Sequence, residues 1–338
     1  MSGGLSADDL EAAVAAGIID RDTLQRMHRA AAARTGSISA DDETFRLLTG
    51  FNDIFVTIGL ALFLGALAWL FSQASNLLAA GAVAIAAWLL AEVFTRKRRM
   101  ALPSIALLLS FCGSVFAFAA TLLEYIGAND GLSAIVAGLA AAGGAFVHWR
   151  RFHVPVTVAA GYAAAAISLF TLVNAMTFGL VSDHPPLVIL PLGLGAFALA
   201  MRFDSSDRER STRRTDIAFW LHLAAAPAIV HSIVWGLITP GADLTPFDAI
   251  AIIALFIILA LVALVADRRA LMVSALSYLI YAMGTLLTKA QWDATGYAMA
   301  TLAVGAIVLA LSLGWRPLRA TILRHMPAAI TQKVPQAS

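Results

Sequence analysis

FNDIFVTIGLALFLGALAWLFSQASNLLAAGAVAIAAWLLAEVFTRKRRM, residues 51–100, is the stretch that decides the fold. It contains two apolar runs, 54–72 and 77–95, joined by a few polar residues and closed by Arg96, Lys97, Arg98 and Arg99. An α-helix needs about 20 mostly apolar residues to cross the ~30 Å hydrocarbon layer of a bilayer. Both runs meet that length, and the short join makes them antiparallel neighbours. The cations stay at the water interface, where they mark one face of the membrane.

The remainder of the chain repeats this pattern. Of its 338 residues 60% are hydrophobic and only 13% charged, against about 25% charged in a soluble globular chain. Mean hydropathy is +0.82. The same length criterion gives ten spans: 54–72, 77–95, 102–123, 132–148, 154–174, 186–201, 216–238, 248–266, 270–288 and 293–313. The expected fold is an all-α polytopic membrane bundle over 51–315, with a helical head at 1–50 and a tail at 316–338.

Charge supplies an independent test of the count. When the flanks are assigned alternately to two sides, Lys289 alone of the 23 Lys and Arg residues falls on the second side. Cytoplasmic loops retain Lys and Arg, so both termini are expected in the cytoplasm of a bacterial inner membrane. Tryptophans agree: Trp69, Trp235 and Trp292 fall near one set of ends, and Trp149, Trp220 and Trp315 near the other. The acidic start MSGGLSADDLEAAV does not read as a cleavable signal peptide, which needs a basic start and an apolar core. The single cysteine, Cys112, leaves neither a disulfide framework nor a multi-cysteine metal site.

Residues 1–50 differ in kind. Ser6 and Asp9 make a capping-box-like start followed by Leu10 and Val14 at helical spacing, and Gly17 can end that helix. Asp20 can cap a second helix carrying Leu24 and Met27. A hairpin of about 35 residues buries little surface alone. It is therefore expected to dock on the bundle, dimerise or contact a cytoplasmic protein. LEAAVAAGIIDRDTLQRM, 10–27, followed by the first span, resembles the bacterial multi-span proteins of domain of unknown function 2157. In that family a helix–Gly–Ile–helix head precedes the first span; Ala13 stands where the family often has a tryptophan. The resemblance implies the architecture and carries no catalytic residues.

Ionisable groups at membrane depth are costly, so each is a candidate functional residue. Glu92 lies four residues before Arg96, the spacing of a helix-surface ion pair. Asp53 opens the first span beside Asn52, as a helix-start residue does. His222 and His231 flank Pro227 in span seven. They stand roughly 13.5 Å apart along the axis and half a turn around it, too far to share one metal or haem iron. Pro227 removes the donor to the Leu223 carbonyl and can bend the helix. Interhelical hydrogen bonding and a proton or substrate pathway are both open to the pair. HWRRFH, 148–153, reads as an interfacial basic anchor, and RFDSSDRERSTRR, 202–214, as a solvated connector of mixed sign. Ser110 and Ser168 are expected to bond back to their own helix. The run 96–99 is dense enough to attract anionic lipid heads. Gly131, Ala134, Gly138, Ala142 and Ala145 form a small-residue stripe that would make span four central.

No phosphate-loop, HExxH, GxSxG or CxxC motif occurs. No cofactor, metal or nucleic acid is expected; the partners are the bilayer and a cytoplasmic protein. A non-enzymatic scaffold or sensor is the leading class, with a transporter of a small or lipid-like solute through span seven as the alternative.

Overall fold

The computed structural model describes residues 51–207, 212–237, 245–269 and 293–331, with Ile18, Asp20, Thr23, Leu24, Val334 and seven positions between 271 and 287. Among these residues there is no strand, and nine helices are long and apolar enough to cross a membrane. The protein is an all-α polytopic membrane bundle. Eight of the nine helices are Phe51–Ser72, Asn76–Lys97, Ala101–Tyr125, Asp130–Phe152, Val156–Met176, Pro186–Ser206, Arg213–Trp235 and Phe247–Ala266, spans one to eight in order. Ala294–Leu313 is span ten. The expected ninth span, 270–288, lies largely outside the described residues. Its described positions are helical, and Met272, Leu276, Leu279 and Met283 pack with Val230, Val234, Ile252 and Phe256 of spans seven and eight. Most of the head hairpin also lies outside the described residues. Within it, Asp20 accepts the Thr23 N–H at 2.7 Å, as a helix N-cap does.

Helix ends follow from what hydrocarbon forbids. First-turn N–H groups have no partner within their own helix and must find another. Spans two, four, eight and ten begin at the arginine-poor end, and each is capped by a polar side chain. Ser75, Asn129 and Asp293 accept from Leu77, Leu132 and Gly296 at 3.2, 2.8 and 2.9 Å. Thr245 and Asp248 form a reciprocal capping box before span eight. At the arginine-rich end three non-glycine residues turn the chain in the left-handed region: Arg99 (φ 53°), His153 (φ 54°) and Asp267 (φ 56°). Span two finishes there in a π-helical turn, Glu92–Lys97, a rare conformation frequent at functional sites.

Successive spans pack against one another, and span seven also contacts spans five and eight. Span seven, not span four, is the central helix: 56% of its apolar window is buried against 33% for span four. Two elements separated in sequence enclose span seven, which a small-residue stripe cannot reveal. The buried face of span four is itself displaced from the expected stripe. It runs through Ser133, Ala137, Ala141, Ala145 and His148, with Gly138 beside it. A Cβ at Gly138 would overlap Ser168 Oγ and lie 2.7 Å from the Ala164 carbonyl, so spans four and five meet backbone to backbone. Ser168 donates across that contact to Ile135 O at 2.8 Å, rather than only back to its own helix. Large apolar side chains such as Phe55, Leu62, Phe63 and Trp69 of span one remain exposed, as helices bathed in lipid require.

Candidate functional site

The buried charges converge at the arginine-rich end. Span six does not stop at residue 201 but continues as helix to Ser206, carrying Asp204 into the interior. Span seven places His222 beside it, and the turn after span eight delivers Arg268. All three side chains are shielded, with Asp204 and Arg268 at 1% exposure and His222 at 0%. His222 Nε2 lies 2.9 Å from Asp204 Oδ2. Arg268 Nε donates to the same oxygen at 3.2 Å, and Arg268 Nη2 donates to Oδ1. The carboxylate is acceptor-only when ionised, which sets His222 as the Nε2–H tautomer. A two-pronged guanidinium–carboxylate pair holds geometry as well as charge.

The network runs on into the connection between spans six and seven. Arg268 Nη2 reaches the Thr215 carbonyl at 3.3 Å. The Thr215 hydroxyl donates to Asp207 at 2.9 Å, and Thr212 donates to the same carboxylate oxygen through N–H at 3.0 Å and Oγ1 at 2.7 Å. Residues 202–214 are therefore not simply a solvated connector. Asp204 and Asp207 are both buried, because cation and hydroxyl partners from elsewhere replace water.

The next residue back in the turn serves a second helix. Asp267 Oδ1 accepts from Trp315 Nε1 at 2.8 Å and lies 3.7 Å from Arg319 Nε. Arg319 donates to the Leu264 carbonyl at 3.1 Å, satisfying an acceptor in the last turn of span eight. The Arg269 guanidinium sits over the Trp315 ring, 5.1 Å from its centroid. Residues 315–324 form an amphipathic helix held against the bundle through Trp315 and Arg319. Asp267, Arg268 and Arg269 thus tie the helix after span ten to spans six, seven and eight. Replacing Trp315 with Phe removes one hydrogen bond to a carboxylate and leaves a smaller aromatic ring in its place. We expect a loss of about 1.5–3 kcal/mol, read as faster labelling of a cysteine placed at Ile322 in a Cys112→Ala background. Unchanged labelling would show that Asp267 does not hold this helix.

The structure separates the two histidines read from the sequence. His222 belongs to the ion network and packs edge-on against Phe197, 5.3 Å between centroids. His231 is exposed, beside Trp235 at 5.7 Å. Pro227 lies between them within one continuous helix, and span six carries its own internal proline, Pro191. Glu92 makes the expected pair with Arg96 at 3.2 Å, and also a two-pronged pair with Arg151 of span four at 2.6 and 3.1 Å. Asp53 is buried in the first turn of span one. His148 is not an interfacial anchor. It is fully buried among Trp88, Phe111 and Phe152, because span four extends to Phe152 and His148 falls on its buried face with Ala141 and Ala145. Thr157 Oγ1 lies 3.4 Å from its Nδ1.

Asp204 and Arg268 escaped the sequence reading, where Arg268 counted only as a side marker. The signal available was weak: an acid three residues beyond an apolar run. No group of three or more His, Cys, Asp or Glu suited to a metal occurs among the described residues. No protein-family model, curated protein or solved structure matches the chain. What the network can do chemically follows from its own geometry. A shielded carboxylate that engages both a shielded imidazole and a shielded guanidinium holds spans six and seven to the turn after span eight.

Proposed function

We propose that this protein is a non-enzymatic membrane scaffold or sensor of a bacterial inner membrane. In this reading the arginine-rich end faces the cytoplasm and the head, residues 1–50, contacts a partner protein. One observation carries it. Among the described residues, every buried carboxylate, imidazole and guanidinium (Asp53, His148, Asp204, Asp207, His222, Arg268, Arg319) lies toward the arginine-rich end. Transporters place their substrate and ion sites near the bilayer midplane, on interrupted helices. Here the polar investment goes to the face from which the head departs, and the acid at its centre is taken up by protein partners.

The test is a pull-down in mild detergent with the full chain and with a chain lacking residues 1–40. The expected result is a protein captured by the full chain and lost with the deletion. Identical capture by both chains would remove the head from the reading.

Transport of a small solute is the second reading, favoured by Pro191 and Pro227 in the two helices that also carry Asp204 and His222. The readings diverge at the histidines. A pathway through span seven predicts that His222→Leu and His231→Leu each abolish solute flux while the folded protein persists. The scaffold reading predicts that His231→Leu changes thermal stability by less than about 0.5 kcal/mol, and that only His222→Leu lowers it.

A further inference from the structure

We infer that the junction of spans two and four at the arginine-rich end is a binding site for an anionic phospholipid. Span four presents Leu132, Leu139 and Phe146 along one line, 47%, 57% and 60% exposed. Spacings of seven residues keep successive members within about 20° of each other on an α-helix. Arg150 continues that line, and its guanidinium lies over the Phe146 ring, 5.8 Å from the centroid. The stripe is a surface for an acyl chain, and the cation stands where the chain's headgroup would be.

Span two completes the site. Its exposed line, Leu78, Ile85 and Leu89, leads into the π-helical turn that holds Glu92 and Arg96. Glu92 binds Arg151 and Arg96, joining the two helices beneath the headgroup level. Beyond it, Arg98 is seated over Phe94 at 5.8 Å. The Glu92 carboxylate is thus taken up by Arg151 and Arg96. Among the described residues neither Arg98 nor Arg150 forms an ion pair. Aromatic seating fixes a guanidinium while leaving its N–H donors outward, the arrangement that phosphate oxygens require.

The two halves specify an amphiphile. Charge alone would suit inorganic phosphate or an acidic peptide, but neither would use the apolar stripes on which the arginines stand. A basic residue near the membrane surface strengthens anionic lipid binding about fivefold.

The experiment is native mass spectrometry of the full-length protein, delipidated and titrated separately with phosphatidylglycerol, phosphatidylethanolamine and inorganic phosphate. We expect retention of phosphatidylglycerol over the other two probes. Arg150→Gln should weaken that retention about fivefold, and Arg98→Gln with Arg150→Gln about 25-fold. Arg324→Gln, on the helix after span ten, should leave it unchanged. The double variant should keep the wild-type melting temperature, since neither arginine is paired within the bundle. Equal retention of the neutral and anionic lipids, undiminished retention in the double variant, or equal binding of inorganic phosphate would each overturn the assignment. So would a dimer in the same spectra that forms at the expense of lipid adducts, which would place a second copy on this face.

Discussion

Asp204→Leu is expected to lower stability by about 3–5 kcal/mol, the loss typical when one partner of a buried ion pair is removed. The reason is Arg268, which is 1% exposed and has no route to water once its carboxylate is gone. His222 would lose the acceptor at its Nε2 in the same step. Thermal unfolding in detergent reads the loss. The decisive companion is the triple replacement of Asp204, His222 and Arg268 with Leu. Well-packed apolar residues often substitute for a buried ion network without penalty, so the triple variant should recover most of what the single variant loses. A single variant that melts within about 1 kcal/mol of the parent would mean that Arg268 finds another partner and that the network does not hold the helices.

The second large effect is expected at Gly138. Leu there would push a side chain into Ser168 Oγ and the Ala164 carbonyl, both backed by span five. Overpacking of this kind costs about 1–3 kcal/mol. Prising the helices apart also breaks the Ser168 bond to Ile135 O, and interhelical bonds in membranes average about 0.6 kcal/mol. Gly143→Leu is the matched control, five residues along the same helix, where an added Cβ meets nothing within 4 Å. The close contact predicts a clear drop in melting temperature for the first variant and almost none for the second. Equal drops would point to helix-wide effects of a large residue instead of the contact with span five.

Much of the architecture was legible in the chain because it rests on local properties. Hydrocarbon thickness sets the length of each apolar run, and the expense of placing Arg or Lys in oil sorts these residues to the ends. Those two facts located the nine membrane-length helices to within a few residues. They failed where a charge was treated as a boundary. The apolar run of span six ends at 201, before Arg202 and Asp204, yet the helix continues to Ser206. Span four was cut at His148, yet His148 is among its most buried residues.

Both errors share one cause. By itself the sequence determined which segments enter the bilayer and which ends carry the cations, since hydropathy and charge belong to each stretch separately. Only the tertiary structure decided which charges are buried. Asp204 tolerates burial through Arg268, 64 residues away, and Arg319 satisfies a carbonyl 55 residues before it. A buried carboxylate is stable only when a cation or other hydrogen-bond donors meet it within reach. That distance is a property of packed helices, not of their order along the chain.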